Sequence, residues 1–188
     1  SSKQEYSRNS AKSSSLPDLR KYPSGTPRKK AFLRTVMPYI TSQNAAITAE
    51  RNWLISKQYQ GQWSPAERAR LKDIAKRYKV KWSGNTRKIP WNTLLERVDI
   101  IPTSMVATMA AAESGWGTSK LARNNNNLFG MKCMKGRCTN APGKVKGYSQ
   151  FSSVKESVSA YVTNLNTHPA YSSFRKSRAQ LRKADQEV

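Results

Sequence analysis

Glu113 closes the run Met105-Val-Ala-Thr-Met-Ala-Ala-Ala-Glu113-Ser-Gly-Trp-Gly117, and no further Asp or Glu occurs until Glu156. Small, helix-forming residues lead up to the carboxylate, and Gly115 and Gly117 then stop the helix. A helix C-terminus carries partial negative charge, and apolar neighbours desolvate an acid. Both effects favour the protonated carboxyl, which is the form a general acid for glycoside cleavage must keep near neutral pH. The same Glu could simply solvate the end of a buried helix, and spacing alone leaves both readings open.

Cys133 and Cys138 enclose Met-Lys-Gly-Arg. Lys135-Gly136 suits a turn that would bring the two sulfurs together across a short hairpin, so a disulfide is favoured over two free thiols. A disulfide implies an oxidising compartment. The lone histidine, His168, has no carboxylate near it in sequence and reads as a surface or loop residue. No metal site and no cofactor are expected.

These residues need elements to position them. Residues 1–25 are rich in Ser, Lys, Arg and Asn and read as a disordered basic tail. Residues 26–85 read as an N-terminal helical extension. Phe32, Leu33, Val36, Met37 and Ile40 recur at helical spacing, with a kink expected at Pro38. Ser64-Pro65-Ala66-Glu67 is a capping box, followed by the apolar face Leu71, Ile74, Ala75 and Tyr78. Residues 86–188 carry the chemistry. A helix containing Leu94, Leu95 and Val98 precedes the run to Glu113. Asn124 to Asn127 form a polar turn cluster before Leu128-Phe129-Gly130-Met131. The Gly-, Lys- and Cys-rich stretch 131–150 suits a small β-hairpin. Ser153-Val154-Lys155-Glu156 is a second capping box, with Val158, Tyr161, Val162 and Leu165 behind it. Tyr171, Phe174 and Leu181 suggest a last basic helix. The expected class is mainly α with a small β lobe.

Ala112-Glu113-Ser114-Gly115-Trp116-Gly117-Thr118-Ser119, Asn126-Asn127-Leu128-Phe129-Gly130-Met131-Lys132, Tyr148-Ser149-Gln150-Phe151 and Glu156-Ser157-Val158 with Tyr161 together resemble the glucosaminidase domain of glycoside hydrolase family 73, over roughly residues 90–175. The separation of the first two motifs makes the match specific. Leu95-Glu96-Arg97-Val98-Asp99-Ile100-Ile101-Pro102 resembles the Bax-type members from Gram-negative bacteria. The resemblance implies a lysozyme-like α+β fold and cleavage of peptidoglycan after N-acetylglucosamine, with Glu113 as general acid. It also implies that Asn127, Phe129 and Gly130 shape the floor of a glycan groove and that Tyr148 faces it. Trp116 is a candidate for lining the groove or for the core. For the Asn cluster, turn chemistry competes with sugar contact. Gly115 and Gly117 would let a sugar approach the backbone, or would only terminate the helix. The family domain usually continues past a position like Tyr171 with a further helix, so a truncated domain is expected here.

Several family members carry a second carboxylate in the β lobe. None lies between Ser114 and Lys155 here, and Glu156 matches a capping position. Substrate assistance by the 2-acetamido group, or a water held by Tyr148 and backbone groups, is therefore preferred. A distant acid, Glu96 or Asp99, is the remaining alternative. Fold analogy alone would also admit a muramidase or a lytic transglycosylase. A chain lacking a second acid could even be a non-catalytic glycan-binding protein.

The net charge is +23, with 34 Lys and Arg against 11 Asp and Glu. Such a balance suits anionic surroundings, here an envelope surface, and predicts salt-sensitive activity. No nucleic-acid motif is recognisable, so no specific nucleic-acid partner is expected. The expected protein is a monomer of the periplasm or cell envelope. Its start at Ser1 is what removal of a leader would leave.

Overall fold

A computed structural model describes residues 16–133, 138 and 141–187. Among them are seven α-helices: α1 (Thr26–Lys57), α2 (Pro65–Arg77), α3 (Trp91–Arg97), α4 (Thr103–Ser114), α5 (Lys120–Asn125), α6 (Val154–Thr167) and α7 (Ser172–Glu187). Short 3-10 turns occupy Leu19–Lys21 and Pro169–Tyr171. The protein is mainly helical. No helix among the described residues is long and apolar enough to cross a membrane.

The chain divides into two compact units. One holds the described residues up to Gln43 and Pro102–Val162; the other holds Asn44–Ile101 and residues 163–187. In the first, Phe32, Val36 and Ile40 of α1 are fully buried, as are Val106 and Ala110 of α4 and Val154 and Val158 of α6. The four-residue spacing of each set puts it on one helix face. Residues 16–25, assigned from sequence to the disordered tail, are partly built into this core. Leu19 is fully buried, and Asp18 caps its short turn through Arg20 N–H at 3.2 Å. Residues 1–15 lie outside the described residues.

In the second unit, Leu71, Ile74, Ala75 and Tyr78 are buried as their spacing requires. The capping box is complete: Ser64 Oγ accepts from Glu67 N–H at 3.1 Å, and Glu67 accepts from Ser64 N–H at 3.0 Å. Helix α1 continues through Pro38.

The expected β lobe requires correction. Among the described residues there is no strand, only an isolated antiparallel bridge between Lys132 and Tyr148. Asparagine side chains take the hydrogen bonds that a ladder would have made. Asn125 Nδ2 donates to Val145 O and its Oδ1 accepts from Val145 N–H, at 3.0 and 2.8 Å. Asn127 Nδ2 donates to Ser149 O at 3.0 Å. Cys133 and Cys138 have Cα atoms 5.2 Å apart, a disulfide separation. The expected Lys135-Gly136 turn lies outside the described residues.

Candidate active site

Helix α4 ends abruptly because three successive residues are left-handed: Gly115 at φ +56°, Trp116 at φ +56° and Gly117 at φ +79°. Both Gly115 N–H and Trp116 N–H return to Ala111 O, satisfying the open end of the helix. Ser114 locks the turn from inside. It is fully buried, its Oγ donates to Ala110 O at 2.5 Å, and it accepts from Gly117 N–H at 2.9 Å. Glu113 stands on the last turn of α4 and is exposed to solvent. The sequence reading set it among apolar neighbours; the structure instead gives it an open face.

The second motif closes on Glu113. Gly130, at φ +65°, lies so close that a methyl group on its Cα would sit 2.9 Å from Glu113 Oε2. Glycine is required here twice over, by backbone conformation and by space. The segment is fixed from below. Asn127 is buried; its Nδ2 donates to Met131 O and Ser149 O, and its Oδ1 accepts from Phe129 and Met131 N–H groups. Phe129 is also buried and stacks on Tyr161 with centroids 4.1 Å apart and planes 4° apart. The resemblance implied that both shape a groove floor; in the structure their side chains hold the segment that carries Gly130. Tyr148 is half-buried. The Lys132–Tyr148 bridge, with Ser149 N–H on Met131 O and Cys133 N–H on Gly147 O, both at 3.0 Å, pins it to the segment that follows Gly130.

Trp116 is half-buried. Its ring packs edge-on to Phe32 at 5.6 Å, with Lys29 Nζ 5.1 Å from the ring centroid. It also lines an open, largely apolar pocket of about 480 Å³ with Leu33, Thr108 and Ala112. It therefore packs on Phe32 and also lines this pocket. Helix termination, one of the two readings of Gly117, agrees with its left-handed φ of +79°. A side chain there would overlap Leu19 Cδ1 and lie 3.2 Å from Phe32 Cδ2, so the core fills the space that its missing side chain leaves.

The sequence reading assigned no individual role to Ser157, whose Oγ accepts from Leu128 N–H at 3.2 Å, or to Asn125, which ties the end of α5 to Val145. The run of asparagines was the signal for the latter. His168 is exposed, and its Nδ1 accepts from Ala170 N–H at 3.0 Å. It caps a turn.

Among the described residues, the first unit has three carboxylates: Asp18, Glu113 and Glu156. Asp18 is bound twice by the Arg20 guanidinium, at 2.9 and 3.0 Å, which holds its carboxyl down at about 2. Glu156 accepts from Ser152 N–H at 2.7 Å and from the Ser152 hydroxyl, and its own N–H is capped by Ser153 Oγ. Glu113 is the carboxylate left facing solvent.

The family model for glucosaminidase, described as mannosyl-glycoprotein endo-beta-N-acetylglucosaminidase, matches residues 90–187. The chain belongs to the glucosaminidase family. It is a glycoside hydrolase. The matched span holds both motifs that meet at Glu113, and it runs on through α7. The N-terminal residues that this glucosaminidase packs against Gly117 lie outside the match. No solved structure matches the chain.

Proposed function

We propose that this glucosaminidase cleaves peptidoglycan glycan strands after N-acetylglucosamine, with Glu113 as the general acid. The observation that carries the reading is the meeting of the two motifs, with Gly130 holding its bare Cα against an exposed carboxylate at a left-handed helix end. Glu113 would protonate the leaving oxygen as the oxocarbenium-like transition state forms. Gly130 would admit the scissile bond, and Trp116 and Tyr148 would bound the groove. Asn127 and Phe129 are positioning residues. The mainly helical architecture is in keeping with a lysozyme-like fold.

A second carboxylate is not needed. Asp18 and Glu156 are committed elsewhere in the unit, and Asp99 is buried beneath arginines. The remaining step falls to the substrate's own 2-acetamido oxygen or to a positioned water. The two routes differ in stereochemistry: neighbouring-group attack retains the anomeric configuration and direct attack by water inverts it.

The strongly basic surface would hold the enzyme on an anionic envelope, and the cysteine pair suits an oxidising compartment, so we place the protein outside the cytoplasm. Mass spectrometry of soluble fragments from purified peptidoglycan tests the assignment. Reducing-end N-acetylglucosamine, lost with Glu113→Gln, is expected. Muramic-acid or anhydro ends would overturn the bond assignment, and full turnover by the variant would remove Glu113 from the mechanism. Proton NMR of the first anomer released decides between retention and inversion.

A further inference from the structure

Helix α7 turns arginines inward. Arg175 is 3% exposed, and the Arg178 side chain is 11% exposed. Arg51 of α1 joins them in the same unit, its side chain also 11% exposed. Arg175 donates to the Leu165 and His168 carbonyls, and the acidic partner of Arg51 and Arg178 is Asp99, almost fully buried. Arg182 grips both of its oxygens, with Nη2 to Oδ1 at 2.6 Å. Arg51 Nη1 lies 3.5 Å and Arg178 Nε 3.8 Å from Oδ2. Backbone carbonyls take most other donors: Leu95 and Val98 for Arg51, and Glu96, Asp99 and Ile100 for Arg178. The Nε atoms of Arg51 and Arg178 find no hydrogen-bond partner, so local acceptors are exhausted. Burial pushes the Arg178 guanidinium down to about 10 and lowers Arg51 as well, the mark of cations crowded out of water.

A pocket of about 520 Å³ adjoins this cluster. Its lining includes Arg51, Arg182, Lys183, Glu96, Tyr59 and Ile55. Among the described residues, Arg51, Arg178, Arg182 and Lys183 stand against Glu96, Asp99 and, beside Arg182, Asp185, so cations remain in excess. Beside the cations, Tyr59 is 94% exposed and Ile55 47% exposed, so both are open to a ligand in the pocket.

We infer that this pocket binds an oxyanion, phosphoryl or carboxylate, carried on a ring or another apolar body. The anion would neutralise the surplus cations in a partly desolvated site, where charge-assisted hydrogen bonds are strong. Arg51 is already held by two carbonyls, so little ordering is required on binding. Tyr59 and Ile55 would cover the apolar body, which a bare ion would leave exposed. The inference is independent of the role of Glu113.

The test is an NMR titration of the whole ¹⁵N-labelled chain with phenyl phosphate and benzoate, with inorganic phosphate and phenol as controls. Saturating one-to-one shifts at Tyr59, Lys183 and α7 are expected, weakened by about fivefold or more in Lys183→Gln and in Tyr59→Ala. Both variants change exposed residues and leave the core intact. Tighter binding of phenyl phosphate identifies a phosphoryl ligand, and tighter binding of benzoate a carboxylate. Shifts spread over the basic surface without saturation, unchanged affinity in both variants, or equal binding of phenol would overturn the inference. Inorganic phosphate binding as tightly as phenyl phosphate would overturn the apolar half of it.

Discussion

Gly130 faces Glu113 with nothing but a hydrogen on its Cα, and a methyl group there would lie 2.9 Å from Oε2. Two motifs seventeen residues apart in the chain thereby become one site. The contact explains why the second motif carries a glycine at 130, and it makes that glycine a probe of the first.

Gly130→Ala should lower both stability and turnover. The residue sits at φ +65°, where an L side chain costs about 1–2 kcal/mol. The new methyl must also displace the carboxylate. A kcat loss larger than the stability loss explains, read from turnover and urea unfolding on the same preparation, is expected. Turnover within twofold of wild type would show that the carboxylate does not need its present position.

Gly117 makes a separate demand. Its missing side chain leaves room for Leu19 and Phe32. Gly117→Ala should destabilise the protein by about 1–3 kcal/mol through overpacking. Leu19→Ala should by itself cost about 2–5 kcal/mol through a cavity. Because the two residues share one space, the double variant should be more stable than the sum of the single losses, by about 1 kcal/mol. Strict additivity in denaturant unfolding would separate the N-terminal segment from the end of α4.

Glu156→Gln should retain most activity. Its carboxylate serves Ser152 at the start of α6 and not a substrate. The cost should be about 1 kcal/mol of stability, the usual worth of a helix cap. Near-complete loss of turnover in a folded variant would restore a second catalytic carboxylate and exclude the substrate-assisted route.

What was legible in the sequence follows from how local each signal is. Ser64 with Glu67, and Ser153 with Glu156, mark helix starts within four residues, and both helices begin there. Glu113 and Gly130 were singled out as motif residues, but their contact is a matter of tertiary structure. Among the described residues of 131–150, pairing stops at the Lys132–Tyr148 bridge and its flanking backbone bonds, while Asn125 and Asn127, outside that stretch, bond the Val145 and Ser149 backbone. Leu19 was lost in a polar segment, since a single apolar residue has no periodicity. The last helix misled for a different reason. Leu181 is 69% exposed, whereas the basic positions 175, 178 and 182 carry the inward-facing pattern. A basic helix face is read as solvated unless a buried acid is known to await it, and Asp99 lies 76 residues before Arg175.

Asp99 gives the sharpest stability prediction. Burial alone would raise its carboxyl, but hydrogen bonds from Arg182 and the charges of Arg51 and Arg178 outweigh this and hold it below the usual carboxylate range. An acid lowered in the folded state contributes stability above its unfolded value near 4, and that stability is lost as pH falls through the folded value. The folding free energy should therefore be steady from neutral pH to about 5 and decline below about 4. Asp99→Asn removes the charge and leaves buried guanidinium groups uncompensated, at a cost of about 3–5 kcal/mol. It should also flatten the acid limb, because the titrating group is gone. Urea unfolding between pH 3 and 7, for wild type and variant, checks both. An acid limb of unchanged slope in Asp99→Asn would move the linkage to other carboxylates. A cost under about 1 kcal/mol would mean that the arginines relax into solvent and that the cluster is not held by its single acid.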